Sequence, residues 1–383
     1  MAHLSELDVP RRSDSRAPQW LGVLLLIYVL ISAVSVIGTG FKVATGGQAQ
    51  ELFGFATNPY VGLVIGIVAT ALIQSSSTVT SLIVGMVAGG LPVAIAVPMI
   101  MGSNVGTTLT NTLVSLGHVR SKDEFRRAFA AATVHDFFNL LAIVIFLPLE
   151  IMFGLLGRTA SAVTGLFVSD ANLSMSDLNF MRTLTGPLVG VLEGTASVLP
   201  GIFAGVAMIV AGLVLIFLSI TYIGKLLKVL MVGKAKEIMH RAIGKGPLTG
   251  IFSGALVTFV VQSSSTTTSL MVPLAGTGTF SLRQIYPFML GANIGTTLTA
   301  LLAATAVGGA MAVPAMQIAL VHMLFNVFAV LVIFGLPFLR NLPLMGANLL
   351  AALASEKTIY AAAWILSVFL LLPLLLIAVT TIF

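Results

Sequence analysis

The sequence predicts an all-α polytopic membrane protein built from two inverted-topology repeats. Each repeat carries a re-entrant helical hairpin with a QSSS tip and a broken transmembrane helix, about seven full spans plus two hairpins in all. Three observations predict this. First, 57% of the 383 residues are hydrophobic and only 8% are charged, with a mean hydropathy of +1.07. A soluble chain carries roughly 25% charged residues to cover its core, so here lipid is the outer solvent. Second, long apolar stretches alternate with short polar breaks, and a bilayer core of about 30 Å needs roughly 20 apolar residues per helix. Third, three polar blocks inside those stretches occur twice, in the same order and at nearly the same offset.

The elements follow in order. A basic cytoplasmic leader, 1–19, holds Arg11, Arg12 and Arg16 and precedes an apolar run from Trp20 to Gly38. That run is longer than the roughly 7–15 residues of a signal-peptide core and no small-x-small cleavage site follows, so it reads as a span. The first repeat covers 20–150: the span, a hairpin over about 59–90, a broken helix over about 92–116 and a span over about 128–150. An external linker, 151–197, leads to the second repeat, 198–338, with its own span, a hairpin over about 248–280, a broken helix over about 284–308 and a span over about 313–338. Residues 339–383 supply a cytoplasmic connection and a C-terminal span.

Charge sets the orientation. The two most basic internal segments, Arg120 to Arg127 and Lys225 to Lys245, go to the cytoplasm with the leader, while Phe41 to Asn58 and Leu155 to Val198 are poorer in Lys and Arg and go outside. This puts the N-terminus in the cytoplasm and the C-terminus outside, in a multi-pass membrane protein. The net charge of +6 sits in loops beside spans, which is a topology signal and no sign of nucleic-acid binding. Asn172-Leu173-Ser174 is a formal glycosylation sequon of a kind common by chance. Zero cysteines exclude disulfides, thiolate metal sites and cysteine nucleophiles.

The duplicated blocks are QSSST (Gln74 to Thr78, again Gln262 to Thr266), GSNVGTTLT and GANIGTTLT (Gly102 to Thr110, Gly291 to Thr299), and HDFFN and HMLFN (His135 to Asn139, His322 to Asn326). One unit copied twice explains all three. The segment leading into the first QSSST starts outside and the one leading into the second starts inside, so the copies are inverted. Tyr60 to Ile73 and Thr78 to Gly90 are each too short to cross about 30 Å at about 1.5 Å per residue. As limbs of a re-entrant hairpin they put the tip at mid-membrane, where non-helical backbone must be buried or line a cavity.

Three serines and a threonine at a helix start place hydroxyls beside unpaired amides, an arrangement that suits phosphate, sulfate or carboxylate oxygens. The same hydroxyls, the Gln74, Gln262, Asn104 and Asn293 side-chain carbonyls and any unwound backbone carbonyls suit a hard cation such as sodium. Packing is the other role open to such residues in membrane helices; it fits Ser32, Ser35 and Ser219, whereas duplication and clustering at helix breaks favour a site for the blocks. Asp136 is the main acid within an apolar segment, and its counterpart is Met323; a core or loop-pairing role fits it better than direct coupling. His135 and His322 match between copies and read as structural hydrogen-bonding groups, and Arg126 and Arg127 as topology anchors. HExxH, GxSxG and GxxxxGK[ST] are all absent from the sequence, so neither an enzyme nor an ATP-driven pump is expected.

At these residues the sequence resembles the type II sodium-phosphate cotransporter family, as a compact bacterial member. The likeness rests on the paired QSSS motifs, GSNVGTTLTN and GANIGTTLTA, and FRRAFAAATVHDFFN (Phe125 to Asn139), and covers roughly residues 58–338. It implies sodium-driven uptake of inorganic phosphate across the plasma membrane, with sodium as the coupling ion and no other cofactor, and the expected mechanism is symport by alternating access. Carried over, the phosphate set is Ser75, Ser76, Ser77, Thr78, Ser263, Ser264, Ser265 and Thr266. The sodium set is Gln74, Asn104, Thr107, Thr108, Gln262, Asn293, Thr296 and Thr297. The long cysteine-containing external loop of the animal members is replaced here by a short one without cysteine. A sodium-coupled carboxylate carrier would suit the same residues physically, and an anion channel or a phosphate-sensing membrane receptor is the alternative of another class.

Overall fold

The computed structural model describes residues 17–46, 58–170, 175–243 and 245–382; most of the basic leader and the sequon at Asn172 lie outside them. Every regular element among the described residues is helical. Seven segments are long and apolar enough to cross a membrane: Ala17–Thr45, Val93–His118, Lys122–Phe153, Gly201–Leu227, Leu282–Thr305, Gly309–Phe334 and Ile359–Ala378. The all-α polytopic class is therefore the observed one.

Helix α1 (Ala17–Thr45) is followed by α2 (Pro59–Ile73) and α3 (Ser76–Ala88), the two limbs around the first QSSST. Asn58 caps α2 through its side chain to the Tyr60 amide, with Pro59 at the first helical position. The limbs have 15 and 13 residues, about 22 and 20 Å at the α-helical rise. Then come α4 (Val93–Thr107), α5 (Leu109–Ser115) and the long α6 (Lys122–Phe153). The stretch between the copies contains two further helices, α7 (Leu155–Asp170) and α8 (Met175–Ala196). Helix α9 (Gly201–Ala242) leads to α10 (Pro247–Val261), and the second QSSST opens the short helices α11 (Ser264–Ser269) and α12 (Met271–Gly276). Helix α13 (Leu282–Thr305) precedes α14 (Ala312–Ala329), which ends in a π turn at Val330–Phe334. Then follow α15 (Pro337–Glu356), α16 (Ile359–Leu366) and, past a second π turn at Ser367–Leu371, α17 (Leu372–Ile382).

The same packing occurs in both copies. Helix α2 lies along α4 and α10 along α13, two of the closest pairings in the fold. Glycine makes this possible: a Cβ on Gly102 would drive into the Leu63 carbonyl oxygen, and one on Gly291 into that of Ile251. Small residues let helix backbones approach where no hydrophobic effect drives them together. The matching Gly66 and Gly254 face the Met99 and Phe288 carbonyls in the same way.

The expected helix breaks come out unequally. In the first copy α4 ends at Thr107 and α5 starts at Leu109, with Thr108 between them donating its amide to Val105 O at 3.1 Å. In the second copy α13 runs without interruption through Gly291 to Thr297. Its glycines are consumed by close packing, and Thr296 and Thr297 donate their hydroxyls to their own helix at Ala292 O and Ile294 O, 3.0 and 2.7 Å, so nothing forces the backbone to unwind.

Candidate functional site

At each QSSST tip the glutamine turns the chain and the first serine starts the next helix. Gln74 (φ 58°) and Gln262 (φ 56°) are the only non-glycine residues with positive φ among those described. A left-handed conformation is costly for a residue with a side chain, and here both ends of that side chain are tied. In the first copy Gln74 Nε2 donates to Ala71 O, and Thr110 Oγ1 donates to Gln74 Oε1 at 2.6 Å. In the second, Gln262 Nε2 donates to Phe259 O, and Thr299 Oγ1 donates to Gln262 Oε1 at 2.9 Å. Thr110 and Thr299 were not singled out from the sequence, although they close the duplicated GTTLT block and that signal was present.

Ser75 is the N-cap of α3. Its Oγ accepts from the Thr78 amide at 3.3 Å and pairs with Thr78 Oγ1 at 2.8 Å. Ser263 and Thr266 repeat both contacts at 3.2 and 2.9 Å. These four side chains satisfy one another and fix the turn. Between them stand Ser76 and Ser77, each 3% exposed, and Ser264 and Ser265, 3% and 8% exposed. No protein group hydrogen-bonds to their hydroxyls among the described residues, and their first-turn amides have no carbonyl to reach along the helix.

The remaining threonines of the proposed set have committed their protons. Thr107 Oγ1 donates to Ser103 O at 2.9 Å and Thr108 Oγ1 to Val105 O at 2.9 Å, as Thr296 and Thr297 do in α13. Asn104 and Asn293 are buried, 4% and 3% exposed. Both meet a histidine from the other copy: His135 Nε2 lies 2.7 Å from Asn293 Oδ1, and His322 Nε2 lies 3.4 Å from Asn104 Oδ1.

The second limbs of the hairpins pack across the junction of the copies. The second limb of the first hairpin, α3, packs on α13 and α14, while α12 packs on α6 and α11 on α5. Thr268 Oγ1 donates to Asn111 Oδ1 at 2.9 Å, and Phe138 meets Tyr286 edge-on at 6.2 Å between centroids. Asp136, fully buried, accepts at Oδ2 from Trp364 Nε1 at 2.8 Å and from Thr112 Oγ1 at 3.3 Å, while its Oδ1 has no protein partner. Arg127 Nε donates to Gly276 O at the end of α12, 2.8 Å away, which ties α6 to the second hairpin.

A cavity of about 920 Å³ lies away from the tips, near the end of α1, and is lined by Ser35, Thr39, Lys42, Ala88, Glu193 and Gly308 among others. It touches no residue of either QSSST.

Seven apolar spans around two buried, hydroxyl-rich helix starts at the junction of duplicated bundles define a solute-handling polytopic membrane protein. The chain matches the Na+/Pi-cotransporter family over residues 29–169 and 215–345 and belongs to it; it is a transporter and not an enzyme. It is 35% identical to sodium-dependent phosphate transport protein 2A of Rattus norvegicus, with 95% of this chain and 68% of the relative aligned. It is 33% identical to the 2A protein of Oryctolagus cuniculus, with 94% and 67% aligned, and 30% identical to the 2B protein of Homo sapiens, with 93% and 65% aligned. The chain thus spans about two thirds of the length of these relatives. No solved structure matches it.

Proposed function

We propose that the protein is a sodium-coupled symporter of inorganic phosphate in the plasma membrane, working by alternating access, with substrate and sodium held between the two QSSS tips. One observation carries this reading: at both tips, two buried serines have hydroxyls with no protein partner and stand at the helix start, where their own amides reach no helix carbonyl, while their neighbours Ser75, Thr78, Ser263 and Thr266 are bonded to each other. Helix N-termini with free donors favour an oxyanion. Ser76, Ser77, Ser264 and Ser265 are the direct donors to phosphate; Ser75, Thr78, Ser263 and Thr266 hold the turns that aim them.

Sodium takes the complementary group. A hydroxyl whose proton is committed to a backbone carbonyl presents only lone pairs outward, which is the state of Thr107, Thr108, Thr296 and Thr297. The Gln74, Gln262, Asn104 and Asn293 carbonyl oxygens each keep a second lone pair beyond the bond they accept. Oxygen-only coordination of this kind suits a hard cation. Sodium beside phosphate screens its charge, so each ligand raises the affinity for the other. In the inverted arrangement, with the N-terminus cytoplasmic and the C-terminus outside, the hairpins enter from opposite faces and their tips converge near the midplane.

Uptake of labelled phosphate into proteoliposomes tests the reading. Uptake is expected with an inward sodium gradient and absent with choline in its place; equal uptake in the two buffers refutes coupling. Ser76→Ala with Ser264→Ala is expected to abolish uptake while the protein remains extractable and monodisperse. Full competition by succinate or citrate would instead assign the site to carboxylates.

A further inference from the structure

The two halves of the central hydrogen-bond network use matching residues in unequal geometry. On one side the network is closed: His135 Nε2 meets Asn293 Oδ1 at 2.7 Å, Asn293 Nδ2 donates to Asn139 Oδ1 at 2.9 Å, and Asn139 Nδ2 donates to Asn104 O at 2.8 Å. The matching side is open. His322 Nε2 is 3.4 Å from Asn104 Oδ1, and Asn326, the counterpart of Asn139, turns its amide back to its own helix at His322 O, 3.0 Å away. Asn104 Nδ2 and His322 Nδ1 are buried with no partner, which is costly in a membrane interior. The tips differ in step with the network. Gln262 is 7% exposed and Thr299 1%, whereas Gln74 is exposed and Thr110 half-buried.

We propose that His135–Asn293–Asn139 and His322–Asn104–Asn326 are two alternative clasps between the copies, one closed at a time, and that their exchange positions the tips for opening to one side or the other. The inference rests on the alternating-access reading above. Chemically both clasps are available, because each is a His and two Asn at matching positions of the duplicated blocks. Closing the second clasp would give Asn104 Nδ2 the partner it lacks, through Asn326, and would release Asn293 from Asn139. Such a pair of near-equal packings is what a two-state element requires. One local difference biases the pair: His135 Nδ1 faces Asn111 Nδ2 at 3.4 Å, while the position matching Asn111 is Ala300. These are positioning residues, since they act through the tips.

The absence of native cysteine allows a direct test by thiol accessibility. Thr110→Cys and Thr299→Cys, in separate proteins reconstituted without sodium or phosphate, are labelled with a charged, water-soluble maleimide. In the parent background the Thr110→Cys thiol is expected to react faster. Asn139→Ala removes only the closed clasp and is expected to slow labelling at 110 and speed it at 299, each by about 5- to 30-fold, the effect of losing two buried hydrogen bonds. Asn111→Ala is expected to act in the same direction. Asn326→Ala is expected to shift both rates the opposite way. Opposed shifts at the two positions are the signature, because general loosening speeds both. Parallel changes, or no change with either asparagine variant, overturn the proposal. The labelling is measured without substrate, so its outcome stands apart from whether the transported anion is phosphate.

Discussion

Replacing the left-handed glutamine of the second tip separates two contributions that the structure places in one residue. Gln262→Gly removes the bonds to Phe259 O and from Thr299 Oγ1, each worth about 1 kcal/mol net, while glycine takes a positive φ freely. Relief of the left-handed strain, about 1–2 kcal/mol, offsets most of that, so the expected net loss is about 0–1 kcal/mol. Gln262→Ala removes the same bonds and keeps the Cβ at φ 56° that the parent also carries, so the full loss of about 2 kcal/mol is expected. Within an ordinary helix alanine is favoured over glycine by about 0.5–1 kcal/mol, so the expected ranking reverses the generic one. Purified protein in detergent, followed by scanning fluorimetry, reads the difference. With about 2 °C per kcal/mol, the low end for large domains, melting falls by about 0–2 °C for the glycine variant and about 4 °C for the alanine variant. An alanine variant as stable as the glycine variant refutes the strain argument. An alanine variant indistinguishable from the parent removes the tether to Thr299.

Two other outcomes test the packing. Gly291→Ala is expected to cost about 1–3 kcal/mol by overpacking α13 on α10, whereas Gly117→Ala, with nothing within 4 Å of the added carbon, is expected to be neutral; the monodisperse fraction on size-exclusion chromatography compares them. Trp364→Phe removes the Nε1 donor to Asp136 and is expected to lower stability by about 1–3 kcal/mol. A double-mutant cycle with Asp136→Asn should show a coupling of at least about 0.5 kcal/mol, and additive effects would dissolve the pairing.

Hydropathy made the spans legible, because about 20 apolar residues in a row leave little choice in a bilayer. Duplication made the tips legible, since QSSST marked the two matching turns, and the GxNxG and His/Asn blocks marked side chains that meet across the copies. Local chemistry hid the rest. Glycine and threonine in GANIGTT read as a helix break, yet Gly291 is used for close approach and Thr296 and Thr297 bond back to their own turn, a choice that depends on the facing α10. The left-handed glutamines were hidden because that conformation is usually given to glycine, and only the distant Thr110 and Thr299 make it tenable. The Trp364–Asp136 bond joins positions far apart in the chain with no counterpart in the other copy, so no repeat signal could reveal it.

A bend made by glycine can flex; a bend made by a glutamine clamped at both ends of its side chain is an elbow set in plaster. With α2 fitted to α4, and α10 to α13, by glycines that leave no clearance, the first limb of each hairpin and its companion helix form one solid piece. The seam between the copies is of two kinds: α1 and α9 press backbone on backbone at Gly40 and Gly205, while around His135, Asn293, His322 and Asn104 the joints are side-chain hydrogen bonds, which can be remade without prising helices apart.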